Sequence, residues 1–124
     1  MKVVFDTNVL ISAFLTTTGP SQSVFTAALK RHTVVLSEYI LKEFEKKLVG
    51  KLRMPVERVR HAVDFLRRRV TVLDISGKKD LPLLALLETA QAHYFVTGDK
   101  KLLELKKHKS ALFLTPREAM EISK

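Results

Sequence analysis

The chain has 124 residues, the length of one compact domain, and 46% of them are hydrophobic. A chain of this size and composition buries enough apolar surface to fold without covalent links, so an intrinsically disordered state is excluded. Lys and Arg number 22 against 13 Asp and Glu, which gives a net charge of +9. This excess of positive charge favours a polyanionic partner, with nucleic acid first and an anionic membrane surface second.

The sequence contains no cysteine, which excludes disulfides, thiolate nucleophiles and zinc–thiolate sites. A charge at Asp6 follows only three apolar residues, and this pattern does not fit the core of a signal peptide. The longest uninterrupted apolar run, 83–87, is much shorter than the roughly 20 residues of a membrane span. We therefore expect a soluble, cytoplasmic protein that has no membrane partner.

Short apolar runs alternate with longer helical patterns along the chain. The runs predict strands at 3–5, 33–36, 70–73, 94–96 and 111–114. They are continuous rather than alternating, as in a parallel sheet that is covered on both faces. Periodicity predicts helices at 21–31, 38–51, 55–69, 81–92, 100–106 and 116–122, with one or two turns at 8–14.

This alternation predicts an α/β fold in a single domain over residues 1–124. We expect a three-layer α/β/α sandwich around a central, mainly parallel sheet of five strands. A local signal supports the last helix boundary, because Thr115-Pro116-Arg117-Glu118 combines a capping Thr, a first-turn Pro and a Glu at the third helical position.

Several acidic residues stand at informative places in this basic chain. Asp6 directly follows the first predicted strand, and Asp99 directly follows the fourth. Ligands of open α/β sheets bind outside the carboxyl ends of the strands, so these two carboxylates are well placed to converge. Asp80 precedes an almost wholly apolar helix, and Glu43 falls at the edge of the apolar stripe of helix 38–51.

Each of these acids also has an ordinary structural interpretation. Asp6 and Asp80 could cap the helices that follow them, and Glu43 could be a solvated helix charge. If three or four of the acids converge, each pair about 4 Å apart repels by about 4 kcal/mol at an effective dielectric of about 20. Either their pKa values rise or a divalent cation lies among them, and an all-oxygen site suits Mg²⁺ or Mn²⁺.

At these residues the sequence resembles the PIN-domain family of metal-dependent ribonucleases, and within it the VapC-like, toxin-type proteins of prokaryotes. The similarity extends from Met1 to about Pro116. It is carried by residues 4–13 (VFDTNVLISA), 37–44 (SEYILKEF), 80–86 (DLPLLAL) and 94–103 (YFVTGDKKLL). The first and last segments together are fairly specific, whereas either alone is weak.

The resemblance implies an RNA endonuclease with one or two Mg²⁺ or Mn²⁺ ions and a quartet of catalytic acids. The quartet consists of Asp6, Glu43, Asp80 and Asp99. By the same resemblance, the three aspartates are direct or water-mediated metal ligands. Glu43 is then a further ligand or the group that positions the attacking water.

The resemblance also implies that Thr7, Asn8 and Thr97 orient the acids or the scissile phosphate. The chain departs from the family pattern before Asp80, where Gly77-Lys78-Lys79 replaces the acidic run that relatives of this subgroup often carry. The third acid therefore stays open between Asp80 and Asp74. Asp74 lies at the end of the third predicted strand and fits the spacing less well.

Positive charge concentrates in residues 42–69, which hold ten Lys and Arg against four Asp and Glu. These residues form either a solvated helix exterior or a surface that contacts phosphates. Lys100 and Lys101 are better candidates for phosphate contact, because they directly follow Asp99. None of these segments offers an aromatic stacking platform, so recognition of the backbone and of shape is favoured over the reading of stacked bases.

The sequence thus predicts a metal-dependent RNA endonuclease. Its role as the toxin of a toxin–antitoxin pair follows from the resemblance alone, and such a toxin is expected to form a homodimer and to be blocked by a small antitoxin protein. The alternative is a non-catalytic RNA-binding or protein-interaction module that keeps the PIN fold, which the Gly77-Lys78-Lys79 departure keeps open.

Overall fold

A computed structural model describes residues 1–75 and 82–122 of the chain. In this part, six strands form one sheet: β1 (Lys2–Phe5), β2 (Thr33–Ser37), β3 (Thr71–Leu73), β4 (Tyr94–Val96), β5 (Lys107–His108) and β6 (Ala111–Leu114). The five predicted strands are all present, with bounds within one residue of the prediction. The predicted α/β class with a mainly parallel central sheet is confirmed.

The prediction of five strands is corrected to six by the short strand β5. It pairs antiparallel with β6 through Lys107↔Leu112 and His108↔Ala111, at one edge of the sheet. Lys107 and His108 are polar, so no apolar run marks this strand in the sequence. Positive φ angles at Lys106 (63°) and Lys109 (55°) flank β5 and confine it to two residues.

The order of the strands is β3-β2-β1-β4-β6-β5, and every pair except β5–β6 is parallel. From β1 the chain builds outwards through β2 to β3, and β4 then joins the other side of β1. The strand order therefore reverses between β1 and β4, which is where open α/β sheets form ligand-binding crevices. Phe5 is in register with Val96, so the chain leaves both strands at the same level.

Seven α-helices flank the sheet in the described residues: α1 (Thr7–Leu15), α2 (Pro20–Arg31), α3 (Glu38–Lys46), α4 (Val56–Arg69), α5 (Pro82–Ala90), α6 (Lys100–Glu104) and α7 (Pro116–Ile122). The last helix begins as predicted, because Thr115 and Glu118 exchange reciprocal hydrogen bonds between side chain and backbone. None of the described helices is long and apolar enough to span a membrane.

The helix predicted over 38–51 differs from the structure in its last turn. Ser37 caps its start, with the side-chain oxygen accepting from the Ile40 amide at 3.1 Å. The α-helical pattern stops at Lys46, and Lys47–Lys51 continues as a wider, π-helical turn. A single wider turn contains too few residues for its change of period to show in the pattern of apolar residues, so the sequence did not distinguish it from an α-helix.

The core is built from the buried strands and the apolar faces of the helices. Phe5, Phe44 and Phe95 are fully buried, and the ring of Phe14 contacts those of Phe25 and Phe44. Helix α1 packs against both α2 and α3. This packing fixes where α1 begins relative to α3, and it matters for the site described below.

Helices α3 and α4 are also joined by an ion pair at the surface. The Arg67 guanidinium donates two hydrogen bonds of 2.8 Å to the Glu38 carboxylate and lowers the pKa of that carboxyl below its usual value. A carboxyl with a lowered pKa in the folded state stabilises the fold above its unfolded pKa, and this contribution is lost as the pH falls through the folded pKa.

We predict that Glu38→Gln lowers the free energy of unfolding by less than about 1 kcal/mol at neutral pH, because both side chains are partly exposed. The difference from the unmodified chain should begin to shrink near the unfolded pKa of about 4.3 and should disappear only as the pH falls through the lower pKa of the folded state, below which the carboxyl is protonated in both states. Urea denaturation across this pH range measures it. Glu104→Gln, on exposed α6, serves as the control, and an equal pH dependence in that variant would contradict the prediction.

Candidate active site at the carboxyl edge of the sheet

Asp6 stands between β1 and α1, at the N-cap position of the helix. Its backbone is extended, yet its side chain makes no capping hydrogen bond to α1. Instead Oδ2 accepts a hydrogen bond of 2.7 Å from the Thr97 hydroxyl, which follows the neighbouring strand β4. The helix-cap interpretation of Asp6 is therefore wrong, because the carboxylate is bound across the strand reversal and not along its own helix.

Thr97 connects the two acidic residues at this edge. Its side chain is fully buried, and its hydroxyl oxygen also accepts from the Asp99 amide at 3.0 Å. Its own amide donates to Leu114 of β6 at 2.9 Å, which holds the residue to the sheet on the other side. One hydroxyl group thus fixes the Asp6 carboxylate and the Asp99 backbone relative to each other.

Asp99 is held by the helix that follows it. Its Oδ1 accepts from the amides of Lys101 and Leu102, at 2.9 and 3.4 Å, and so caps α6. These two bonds use only one carboxylate oxygen, and the residue is exposed. A cap of this kind orients the carboxylate without burying it.

Glu43 is tied to the first residue of α1. The hydroxyl of the buried Thr7 donates to Glu43 Oε1 at 3.1 Å, and Glu43 itself is half-buried. The interpretation of Glu43 as a solvated helix charge is therefore wrong. Asp6 and Thr7 are consecutive, so one short segment after β1 contributes one acid and holds a second.

A cleft of about 370 Å³ opens at this edge. It is lined by Asp6, Asn8, Val9, Ser12, Ser21, Gly98, Asp99 and Pro116. The structure thus brings two of the four predicted acids, Asp6 and Asp99, together with the predicted Asn8. Lys100 and Lys101 follow Asp99 as exposed residues at the start of α6.

The remaining acids are placed differently. Asp80 and the preceding Gly77-Lys78-Lys79 lie outside the described residues. Asp74 follows β3, which is separated from β1 by β2, and its charge opposes the lowering of the Glu38 pKa by Arg67. Within residues 1–75 and 82–122, no group of three or more His, Asp or Glu side chains lies close enough to hold a metal ion.

Two polar residues of the cleft, Ser12 and Ser21, were not predicted from the sequence as site residues, and Lys47 was predicted only as one of the ten cations of residues 42–69. Ser12 lines the cleft four residues after Asn8, and this helical spacing is a signal that could have revealed it. Ser21 enters the cleft only because the start of α2 lies there, which no local pattern encodes. Lys47 donates from Nζ to Asn8 Oδ1 at 3.1 Å and follows Glu43 by four residues.

The fold and this cleft define an α/β domain with acidic residues at the strand reversal of a parallel sheet. A family model described as PIN domain matches residues 2–101. The chain belongs to the PIN domain family. The family predicted from the sequence motifs is therefore confirmed over most of the chain.

A solved structure has a similar fold. One chain of the crystal structure of VapBC2 from Rickettsia felis, bound to a DNA fragment from their promoter, superposes with a TM-score of 0.65 and 17% sequence identity. The match covers 91% of this chain and 97% of that one. Identity this low shows a shared fold. No curated protein gives a significant match to the sequence.

We predict that Thr97→Val, which removes the hydroxyl with little change in shape, lowers the free energy of unfolding by about 1–3 kcal/mol. The reason is that the Asp99 amide loses its acceptor and Asp6 loses a donor when the buried Thr97 hydroxyl is removed. Urea denaturation measures the change. Thr33→Val, at an exposed position of β2, is the matched control and should stay within about 0.5 kcal/mol. Equal stabilities for the two variants would contradict the role given to Thr97.

Proposed function

We propose that this PIN domain is a metal-dependent RNA endonuclease. The observation that carries the proposal is the pair Asp6 and Asp99, which line one cleft at the strand reversal and are held together through Thr97. A chain of net charge +9 that nonetheless has two carboxylates in the lining of one cleft suits a polyanionic substrate and a divalent cation.

The donor set of the cleft fits Mg²⁺ or Mn²⁺. The chain has no thiolate, and the side chains that line the cleft offer oxygen ligands only. Mg²⁺ is commonly held by one or two carboxylates, with water completing its coordination, so Asp6 and Asp99 meet this requirement. We propose these two as metal ligands and Asp80 as a third. When bound, such an ion would promote ionisation of water and stabilise the negative charge that develops on the phosphate oxygens.

The remaining residues act through position and charge. Thr97 keeps the Asp6 carboxylate oriented towards the cleft. Glu43, held by Thr7, positions the attacking water or adds a ligand. Asn8 in the cleft, and Lys100 and Lys101 beside Asp99, contact the phosphates that flank the scissile bond.

We also propose that the protein is the toxin of a toxin–antitoxin pair, which acts in the cytoplasm as a homodimer. The shared fold with a chain of VapBC2 supports this proposal. A groove of about 480 Å³, whose lining shares no residue with the cleft, offers a surface for a partner protein. Its wall includes the rings of Phe14, Phe25 and Phe65, with Lys30 and Arg69 also lining it.

The second candidate is a non-catalytic RNA-binding or interaction module. It is favoured by one observation, that Gly77-Lys78-Lys79 stands before Asp80 where similar sequences often carry an acidic run. The first candidate cleaves RNA through its acidic residues, whereas the second does not cleave RNA. A variant of one of these acids tests the difference.

We predict that Asp6→Asn lowers Mn²⁺-dependent cleavage of a mixed-sequence RNA by at least about a hundredfold, because the metal loses an anionic ligand. The fold should persist, since the Asn oxygen still accepts from Thr97. A gel assay with 5′-labelled RNA measures the rate. Asp64→Asn, on exposed α4, is the control and should cleave normally. Unchanged cleavage by Asp6→Asn, or cleavage that survives a chelator, would refute the metal-nuclease proposal.

The identity of the third acid is tested separately by metal binding. We predict that Asp80→Ala reduces the increase in melting temperature caused by Mn²⁺, because fewer ligands weaken binding to the folded state. Asp74→Ala should retain the full increase, since Asp74 lies beside Glu38 and is not in the cleft lining. Differential scanning fluorimetry with and without Mn²⁺ gives both values. The reverse result would assign the third position to Asp74.

A further inference from the structure

Lys47 places a positive charge beside the acidic cleft. Its Nζ lies 3.1 Å from Asn8 Oδ1, and Asn8 lines the cleft together with Asp6 and Asp99. Lys47 is half-buried, although it comes from the most basic segment of the chain, where most Lys and Arg residues are exposed. Its side chain is therefore directed along the protein surface towards the site and not into solvent.

The backbone around Lys47 explains how it reaches Asn8. Lys47 begins the π-helical turn, and its carbonyl accepts from the Leu52 amide, five residues further on, at 3.1 Å. Turns of this kind are rare and occur frequently at functional sites. Lys47 also lies four residues after Glu43, so α3 and the π-helical turn that continues it contact two consecutive residues of α1. Glu43 of α3 contacts Thr7, and Lys47 of the turn contacts Asn8.

The charge of Lys47 is not neutralised in the part of the chain that is described. There, no carboxylate oxygen lies within 4.0 Å of its ammonium, whereas the Arg67 guanidinium is paired with Glu38 at 2.8 Å. An ammonium has three N–H donors, and the bond to Asn8 uses one of them. Two donors and a full charge stay available at the rim of the cleft, and lysine binds phosphate well as a point charge.

We propose that Lys47 contacts a backbone phosphate of the RNA next to the scissile bond. Asn8 holds its ammonium at the rim of the cleft, and the π-helical turn directs it there. This inference rests on the proposed function, because it assigns Lys47 to the same cleft. It distinguishes Lys47 from the other cations of residues 42–69, which contribute to the general positive field.

The test measures RNA binding in the absence of turnover. A short, fluorescein-labelled, mixed-sequence single-stranded RNA is titrated with the full chain in EDTA, at several KCl concentrations. The variants are Lys47→Met and Lys47→Gln, and the control is Lys2→Met. Lys2 is an exposed lysine at the amino end of β1, so the control removes the same charge from the opposite edge of the sheet.

We expect both Lys47 variants to bind the RNA about tenfold more weakly, as for the loss of one charge-assisted hydrogen bond. The slope of log K against log salt should decrease in magnitude by about 0.7, the value for one phosphate contact on a single strand. Lys2→Met should keep the slope of the unmodified chain. A purely structural role for Lys47 would lower the melting temperature without changing this slope.

An unchanged slope in the Lys47 variants, an equal decrease in Lys2→Met, or unfolding of both Lys47 variants would overturn the inference. Because the assay contains no metal, its result is independent of cleavage. If the Lys47 variants show the smaller slope of log K against log salt but the unmodified chain cleaves no RNA, the phosphate contact would be supported and the nuclease proposal refuted. Conversely, if the protein cleaves RNA but the Lys47 variants keep the salt dependence of the unmodified chain, the nuclease proposal would be supported and the phosphate contact of Lys47 refuted.

Discussion

The bond from the Thr97 hydroxyl to the Asp6 carboxylate is the interaction on which the site depends. It is possible only because β1 and β4 are neighbours in parallel register, with Phe5 opposite Val96. That register brings Asp6, the first residue after β1, to the same level as Thr97, the first residue after β4, and the buried Thr97 hydroxyl then bonds to Asp6. If β4 were shifted by one residue, the hydroxyl would point to the other face and the link would be lost.

A second constraint comes from the charge of the chain. Carboxylates that share a cleft repel one another, and hydrogen bonds from Thr97 to Asp6 and from the start of α6 to Asp99 offset part of that cost. The large excess of Lys and Arg lowers it further, although it acts over a longer distance and is screened by salt. The acidic cleft and the basic exterior therefore complement each other, because the cleft suits a metal cation and the exterior suits a polyanionic substrate.

Only some elements of this fold leave a signal in the local sequence. Continuous apolar runs predicted β1, β2, β3, β4 and β6, since burial on both faces leaves a clear trace in composition. Strand β5 has no such trace, because Lys107 and His108 pair with β6 at an exposed edge. The π-helical turn at Lys47–Lys51 was predicted as α-helix, because the apolar periodicity of the two forms is similar over one turn.

The sequence by itself determined the family, the strand–helix alternation and the position of Asp6 and Asp99 directly after strands. It could not determine that the Asp6 side chain leaves its own helix uncapped, because Asn, Asp and Ser at such positions usually form a cap. Only the tertiary structure decided that Thr97 replaces the helix as partner, that Glu43 faces Thr7 and that Lys47 reaches Asn8. Each of these contacts joins residues at least 36 positions apart in the sequence. Strand order and helix packing bring these residues together, and the sequence could not predict the contacts because no local pattern encodes either.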